Sequence, residues 1–107
     1  MPDTMVRVSS TDQFDDLLRQ KPRLVADFTS NYCKPCGFMT PKYTQLARQY
    51  ENVMFVVVDV DKNRALAERY DVTGMPAFLM FRRAKKVDEC FGLDEKALEG
   101  RVKKLAS

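Results

Sequence analysis

Two apolar runs constrain this chain more than any other feature. Leu24 to Thr29 (Leu-Val-Ala-Asp-Phe-Thr) and Val53 to Val58 are dense in residues that favour strands, and neither keeps one polar face. A strand that is apolar on both sides belongs inside a sheet, with helices packed above and below it. The segments around the two runs supply such partners. Ser10 followed by Gln13 has the form of a capping box, and Phe14, Leu17 and Leu18 then recur at helical spacing until Pro22. Met39, Tyr43, Leu46, Ala47 and Tyr50 make a second stripe with a period near 3.6, inside which Pro41 predicts a kink or a division.

The remaining segments complete the order. Met5 to Val8 alternates as a short first strand. Asp61 is expected to cap a short helix through Tyr70 that turns Leu66 and Tyr70 inward. Val72-Thr73-Gly74 is a breaker, Pro76 to Phe81 a third strong strand, Ala84-Lys85 a turn, and Val87 to Phe91 a last strand ended by Gly92. Asp94 is placed to cap a final helix with Leu98, Val102 and Leu105 on one side. The expectation is an α/β fold of order β-α-β-α-β-α-β-β-α, with a mixed five-stranded sheet flanked by four helices. The first three βα units are expected to make parallel crossovers, and the tight connection from Phe81 to Val87 an antiparallel hairpin. Residues 1–107 are expected to form one domain.

Composition narrows the function classes. With 45% hydrophobic and 31% charged residues over 107 positions, the chain can bury a core without covalent staples. Its three cysteines are therefore free for chemistry, and an odd number argues against a paired framework. The net charge of +3 is dispersed, and the one basic cluster (Arg82, Arg83, Lys85, Lys86) reads as a solvated turn. Nucleic-acid binding would need a basic face with interleaved aromatics, which is not seen. No apolar run approaches the ~20 residues that span a bilayer. The first ten residues have no signal-peptide apolar core, so a reducing cytoplasm and a monomer are expected.

Chemistry concentrates at Cys33-Lys34-Pro35-Cys36. Two cysteines so spaced either ligate a metal or open and close a disulfide. Structural zinc wants four ligands; the chain has no histidine, and Cys90 is the one other thiol. No metal is expected. The pair follows a buried strand and stands at the first turn of a helix, where unpaired backbone N–H groups support a thiolate at Cys33. Cys36, one turn on, would face inward and be shielded. Cys33 is then the nucleophile toward a substrate disulfide and Cys36 the resolving thiol. Pro35 fits the first turn, where its missing N–H costs nothing.

Ala26-Asp27-Phe28, Tyr32-Cys33-Lys34-Pro35-Cys36, Pro41, Val58-Asp59-Val60-Asp61, Gly74-Met75-Pro76 and Phe91-Gly92 resemble the thioredoxin family in order and spacing, from about Val6 to Leu105. The resemblance implies a protein-disulfide reductase of thioredoxin fold whose redox centre is the Cys33–Cys36 disulfide. No bound cofactor is implied; electrons would come from an NADPH-dependent flavoprotein reductase of thioredoxin-reductase type. It adds Asp27 to the catalytic residues, as a buried acid that handles the proton of Cys36; desolvation between Val25 and Phe28 would raise its pKa toward a useful range. It implies a cis bond at Pro76, whose neighbour Met75 would offer backbone groups to an extended substrate. Tyr32, Val60, Gly74, Met75, Pro76 and Gly92 would shape a shallow apolar groove around Cys33.

The chain also departs from the family's usual Trp-Cys-Gly-Pro-Cys and basic residue. Tyr32 replaces the tryptophan, Lys34 the glycine, and Gly37 follows Cys36. A cation at Lys34, ~7 Å from the Cys33 sulfur, would stabilise a thiolate by about 2.4 kcal/mol at an effective dielectric of 20 and by about 0.6 kcal/mol in water. A stabilised thiolate makes the couple more oxidising. Where many relatives place a charge near the buried acid, this chain has Val57. Cys90 is expected to be a buried, inert thiol. Two alternatives stay open: a thioredoxin-fold binding or scaffold module, and a more oxidising disulfide oxidase or isomerase.

Overall fold

In the computed structural model, which describes residues 5–107, the chain runs β1 (Val6–Val8), α1 (Thr11–Gln20), β2 (Arg23–Thr29), α2 (Lys34–Phe38), α3 (Thr40–Gln49), β3 (Met54–Asp59), α4 (Arg64–Arg69), β4 (Ala77–Arg82), β5 (Lys85–Phe91) and α5 (Glu95–Ala106). The strands form one mixed sheet in the order β1-β3-β2-β4-β5. The two apolar runs become β2 and β3, each with a neighbour on both sides, as strands buried on both faces must.

Strands β1, β2 and β3 are mutually parallel, but the third crossover does not produce a parallel strand. β4 runs antiparallel to β2, pairing Asp27 with Phe78 and Ala26 with Leu79. The connection is spent on a short helix and turns. The six-residue helix α4 spans ~9 Å, against ~20 Å for a six-residue strand such as β3. The residues on either side of α4 fold back rather than extend, with the Lys62 and Asn63 N–H groups on the Asp59 carbonyl and the Val72 N–H on that of Ala67, so β4 starts near the end where β3 stopped and runs antiparallel.

Other local differences have equally local causes. The second helix is divided rather than kinked: α2 ends at Phe38 and α3 begins at Thr40, with Pro41 in the first turn of α3. The four expected helices are therefore five segments. Pro41 has no N–H to offer the carbonyl one turn earlier, so the hydrogen-bond ladder is interrupted there. Ser10 caps α1 by accepting the Gln13 N–H at 3.0 Å, while the Gln13 side chain returns to the Ser9 N–H, one residue upstream of a simple box. Asp61 does not cap α4. The N–H groups of Lys62 and Asn63 both donate to the Asp59 carbonyl, and that turn delays the helix until Arg64, with Asn63 at the cap position. The β4–β5 turn sits at Arg83–Ala84 rather than Ala84–Lys85. Both residues have positive φ, 52° and 70°, the geometry of a two-residue turn matched to strand twist.

Each face of the sheet buries its own core. On one, α1 and α4 cover Val8, Ala26, Phe28, Val58, Leu79 and Phe81 with Phe14, Leu18 and Leu66. On the other, α3 and α5 cover Val25, Phe55, Val57, Phe78, Met80 and Cys90 with Tyr43, Leu46, Leu98 and Val102. Asp94 caps α5 through the Ala97 N–H, as its position predicted. No helix among the described residues is long and apolar enough to cross a membrane.

Candidate active site

The site is built where β2 runs out. The Val60 N–H donates to the Thr29 carbonyl at 2.9 Å, joining the ends of β2 and β3. Ser30, buried at the strand end, organises the turn that follows. Its Oγ donates to the Asp61 carboxylate at 2.6 Å and accepts the Tyr32 N–H at 3.1 Å. Its carbonyl accepts the Cys33 N–H, also at 3.1 Å. Four residues of turn are thereby held, and Cys33 is delivered to the position that caps α2.

The cap is made by sulfur. Cys33 Sγ accepts the Cys36 N–H at 3.2 Å. Ser, Thr, Asp and Asn usually fill this place because an oxygen there satisfies an orphan helix N–H. A thiolate does the same with a full charge, so the amide that caps the helix also stabilises the ionised nucleophile. Cys33 and Cys36 are joined as a disulfide with Cα atoms 5.4 Å apart. Cys33 is half-buried, whereas Cys36 is 6% exposed. The outer sulfur is open to a partner and the inner one is not, the asymmetry expected of a nucleophile and its resolving thiol. Pro35 occupies the first turn of α2. Lys34 is exposed and makes no ion pair among the described residues.

Asp27 lies on the face covered by α3 and α5. Sheet register places it in one row with Arg7, Val57, Phe78 and Cys90. The residue is 9% exposed, and its Oδ1 is buried with no hydrogen-bond partner. A carboxylate in such surroundings resists ionisation: burial pushes the group up from 3.8 to about 7, and the Arg7 guanidinium pulls in the opposite direction. Asp27 therefore changes charge near neutral pH, where a proton acceptor for a thiol is useful. Above it, the Tyr43 hydroxyl donates to the Val56 carbonyl at 2.6 Å and lies 3.0 Å from that of Val25. Burial, and then the Asp27 charge, raise Tyr43 well above its ordinary value, so it stays neutral.

The Met75–Pro76 bond is cis. Pro76 is buried, and its carbonyl accepts the Gly92 N–H at 2.9 Å, with Gly92 at φ 78°. Beside it, a cleft of about 370 Å³ is lined by Val60, Asp61, Arg64, Ala67, Val72 and Met75, among others. Of the residues expected to shape a groove around Cys33, Val60 and Met75 line this cleft; Tyr32, Gly74, Pro76, Gly92 and Cys33 itself do not, and Tyr32, at 89% exposed, projects into solvent. Cys90 is free and buried, with its thiol pushed up to about 11 by desolvation. Three features escaped the sequence reading. The Ser30–Asp61 clamp was signalled by a polar residue directly after a buried strand. Arg7 was signalled by alternation in β1. Phe38, 69% exposed, lies one helical turn after Lys34, and the sequence carried no signal for its exposure.

Known proteins share this arrangement. Residues 5–104 match the Thioredoxin family model. Thioredoxin 1 of Plasmodium falciparum is 30% identical over 94% of this chain and 96% of its own length. The thioredoxin of Equus caballus is 34% identical, covering 92% of this chain and 96% of its own. The crystal structure of oxidised mitochondrial thioredoxin 3 from Saccharomyces cerevisiae superimposes with a TM-score of 0.91 at 33% identity, over 94% of this chain and 95% of that one. With its own Cys33–Cys36 disulfide as redox centre, this thiol–disulfide oxidoreductase belongs to the thioredoxin family.

Proposed function

We propose that residues 1–107 act as a single monomeric domain in a reducing compartment, the cytoplasm, passing electrons from an NADPH-dependent flavoprotein reductase to disulfides in other proteins. One observation carries the direction of attack: Cys33 is the accessible sulfur and accepts the Cys36 N–H, while Cys36 is buried. The Cys33 thiolate attacks one sulfur of the substrate disulfide, forming a mixed disulfide and releasing the other sulfur as a thiolate. Asp27 takes the proton from the Cys36 thiol. The Cys36 thiolate then attacks Cys33 Sγ, releasing the second substrate thiolate and closing the Cys33–Cys36 disulfide. Two electrons have moved to the substrate, and the reductase restores the dithiol.

Met75 and Pro76 supply the backbone edge on which an extended substrate segment rests, with Val60 as an apolar wall and Tyr32, Gly74 and Gly92 at the rim. Exposure at Lys34 means its charge is heavily screened, so its effect on the potential lies toward the lower end of the Coulomb range. Retention of Cys90 as a free thiol suits a reducing compartment. The test couples the protein to NADPH, a thioredoxin reductase and a protein disulfide substrate. The reading requires NADPH oxidation in step with substrate thiols formed, and a trapped mixed disulfide with Cys36→Ser. Reduction by dithiothreitol without any NADPH consumption would overturn the assigned electron source.

A further inference from the structure

Arg7 lies in β1, outside every motif that carries the thiol chemistry, yet it stands in the same row of the sheet as Asp27. Arg7 pairs with Val57, and Val57 pairs with Asp27. Strands are about 4.8 Å apart, so the two Cα atoms are separated by ~10 Å. The alternation of β1 settles which face each residue takes. Val6 and Val8 pack into the core under α1 and α4, while Met5 packs into the core under α3 and α5; Arg7 therefore shares the Asp27 face. Between them stands the apolar side chain of buried Val57; Arg7 itself is exposed at the β1 edge, so solvent and salt weaken its pull without removing it.

The other groups around Asp27 are neutral or paired. Phe78 flanks it on β4, and Cys90 on β5 keeps its proton because its thiol is pushed up to about 11. From α3, Tyr43 stays neutral, and Lys42 is engaged by Glu99 of α5 at 3.6 Å. The residues that α5 buries on this face, Leu98, Val102 and Leu105, are apolar. Cys36 of α2 is neutral in the disulfide. The Oδ1 of Asp27 has no hydrogen-bond donor.

We propose that Arg7 is a positioning residue for the thiol chemistry: its guanidinium, two strands away across Val57, favours the charged form of the buried Asp27 carboxylate and so limits how far burial keeps it protonated. The consequence for the reaction rests on the reading of Asp27 as the acceptor of the Cys36 proton. Without Arg7, Asp27 would stay protonated to higher pH, and resolution of the mixed disulfide would need a more alkaline medium. The burial-driven rise of Asp27, opposed by Arg7, agrees in sign.

The experiment follows the Asp27 carboxyl carbon by NMR through a pH titration of the oxidised protein, where Cys36 does not titrate. The variants are Arg7→Met, which keeps the length of the side chain, and Arg7→Lys, which restores the charge. Arg7→Met should raise the Asp27 midpoint by about half a unit to one unit, and Arg7→Lys should return it toward wild type. High salt should narrow the difference. The pH profile of disulfide reduction should move by the same amount, and not at all when Asp27→Asn is already present. An unchanged midpoint in folded Arg7→Met overturns the proposal. A midpoint that moves while the rate profile stays put supports the hold of Arg7 on Asp27 and removes the proton-acceptor role instead.

Discussion

The two faces of one sheet do different work with the same strands. Under α1 and α4 the core is packed from apolar and aromatic side chains and holds no buried charge, with Phe14, Phe28, Tyr70 and Phe81 meeting edge to face at centroid distances of 5.2 to 6.4 Å. Under α3 and α5 the core holds Cys90 and Tyr43, and the sheet row on that side holds Asp27 with an unsatisfied oxygen. β2 feeds both: Phe28 goes to the first and Asp27 to the second, because successive side chains of a strand point to opposite sides. One face gains stability from packing. The other gives some up, since a carboxylate buried without a donor costs free energy whenever it is charged.

That contrast sets the order of expected effects. Cys36→Ser should abolish turnover and leave a mixed disulfide on Cys33, visible by mass spectrometry; full turnover by this variant would remove the resolving role. Phe14→Ala, on the apolar face, should destabilise by about 3–5 kcal/mol in chemical denaturation while leaving the reduction potential where it was. Asp27→Asn should do the reverse. Between about pH 4 and pH 7 the unfolded chain loses the Asp27 proton while the folded chain keeps it, so wild-type stability falls with rising pH across that window and then levels. The variant escapes this cost, gaining roughly 4 kcal/mol near pH 8 and almost nothing near pH 4, while resolving disulfides more slowly. Equal stabilisation at both pH values would mean that the carboxylate charge is not the cause. Ala84→Gly belongs to neither face; relief of positive φ at the β4–β5 turn should add about 1 kcal/mol with no change in activity.

The legible parts of this molecule were those written in local pattern. Apolar runs marked β2 and β3, Pro41 marked the break between α2 and α3, and Asp94 marked the start of α5. Cys33 and Cys36 were legible because their spacing and their place after a buried strand each point to the same chemistry. Tertiary geometry supplied what pattern could not. The direction of β4 depends on how the connection through α4 folds back, and the duty of Asp61 depends on Ser30, thirty-one positions away. Arg7 and Asp27 are twenty positions apart in the chain and meet only through sheet register.

The Cys33–Cys36 couple offers the most direct test, measured by equilibration in dithiothreitol or glutathione buffers with Cys36→Ser as control. A reversible two-electron couple is expected, a tenfold change in the thiol–disulfide ratio for ~30 mV, with a midpoint near or slightly above the ~ −270 mV of thioredoxin. Lys34→Gly should lower that midpoint. Failure to find a reversible couple, or a couple that persists in Cys36→Ser, would contradict the account.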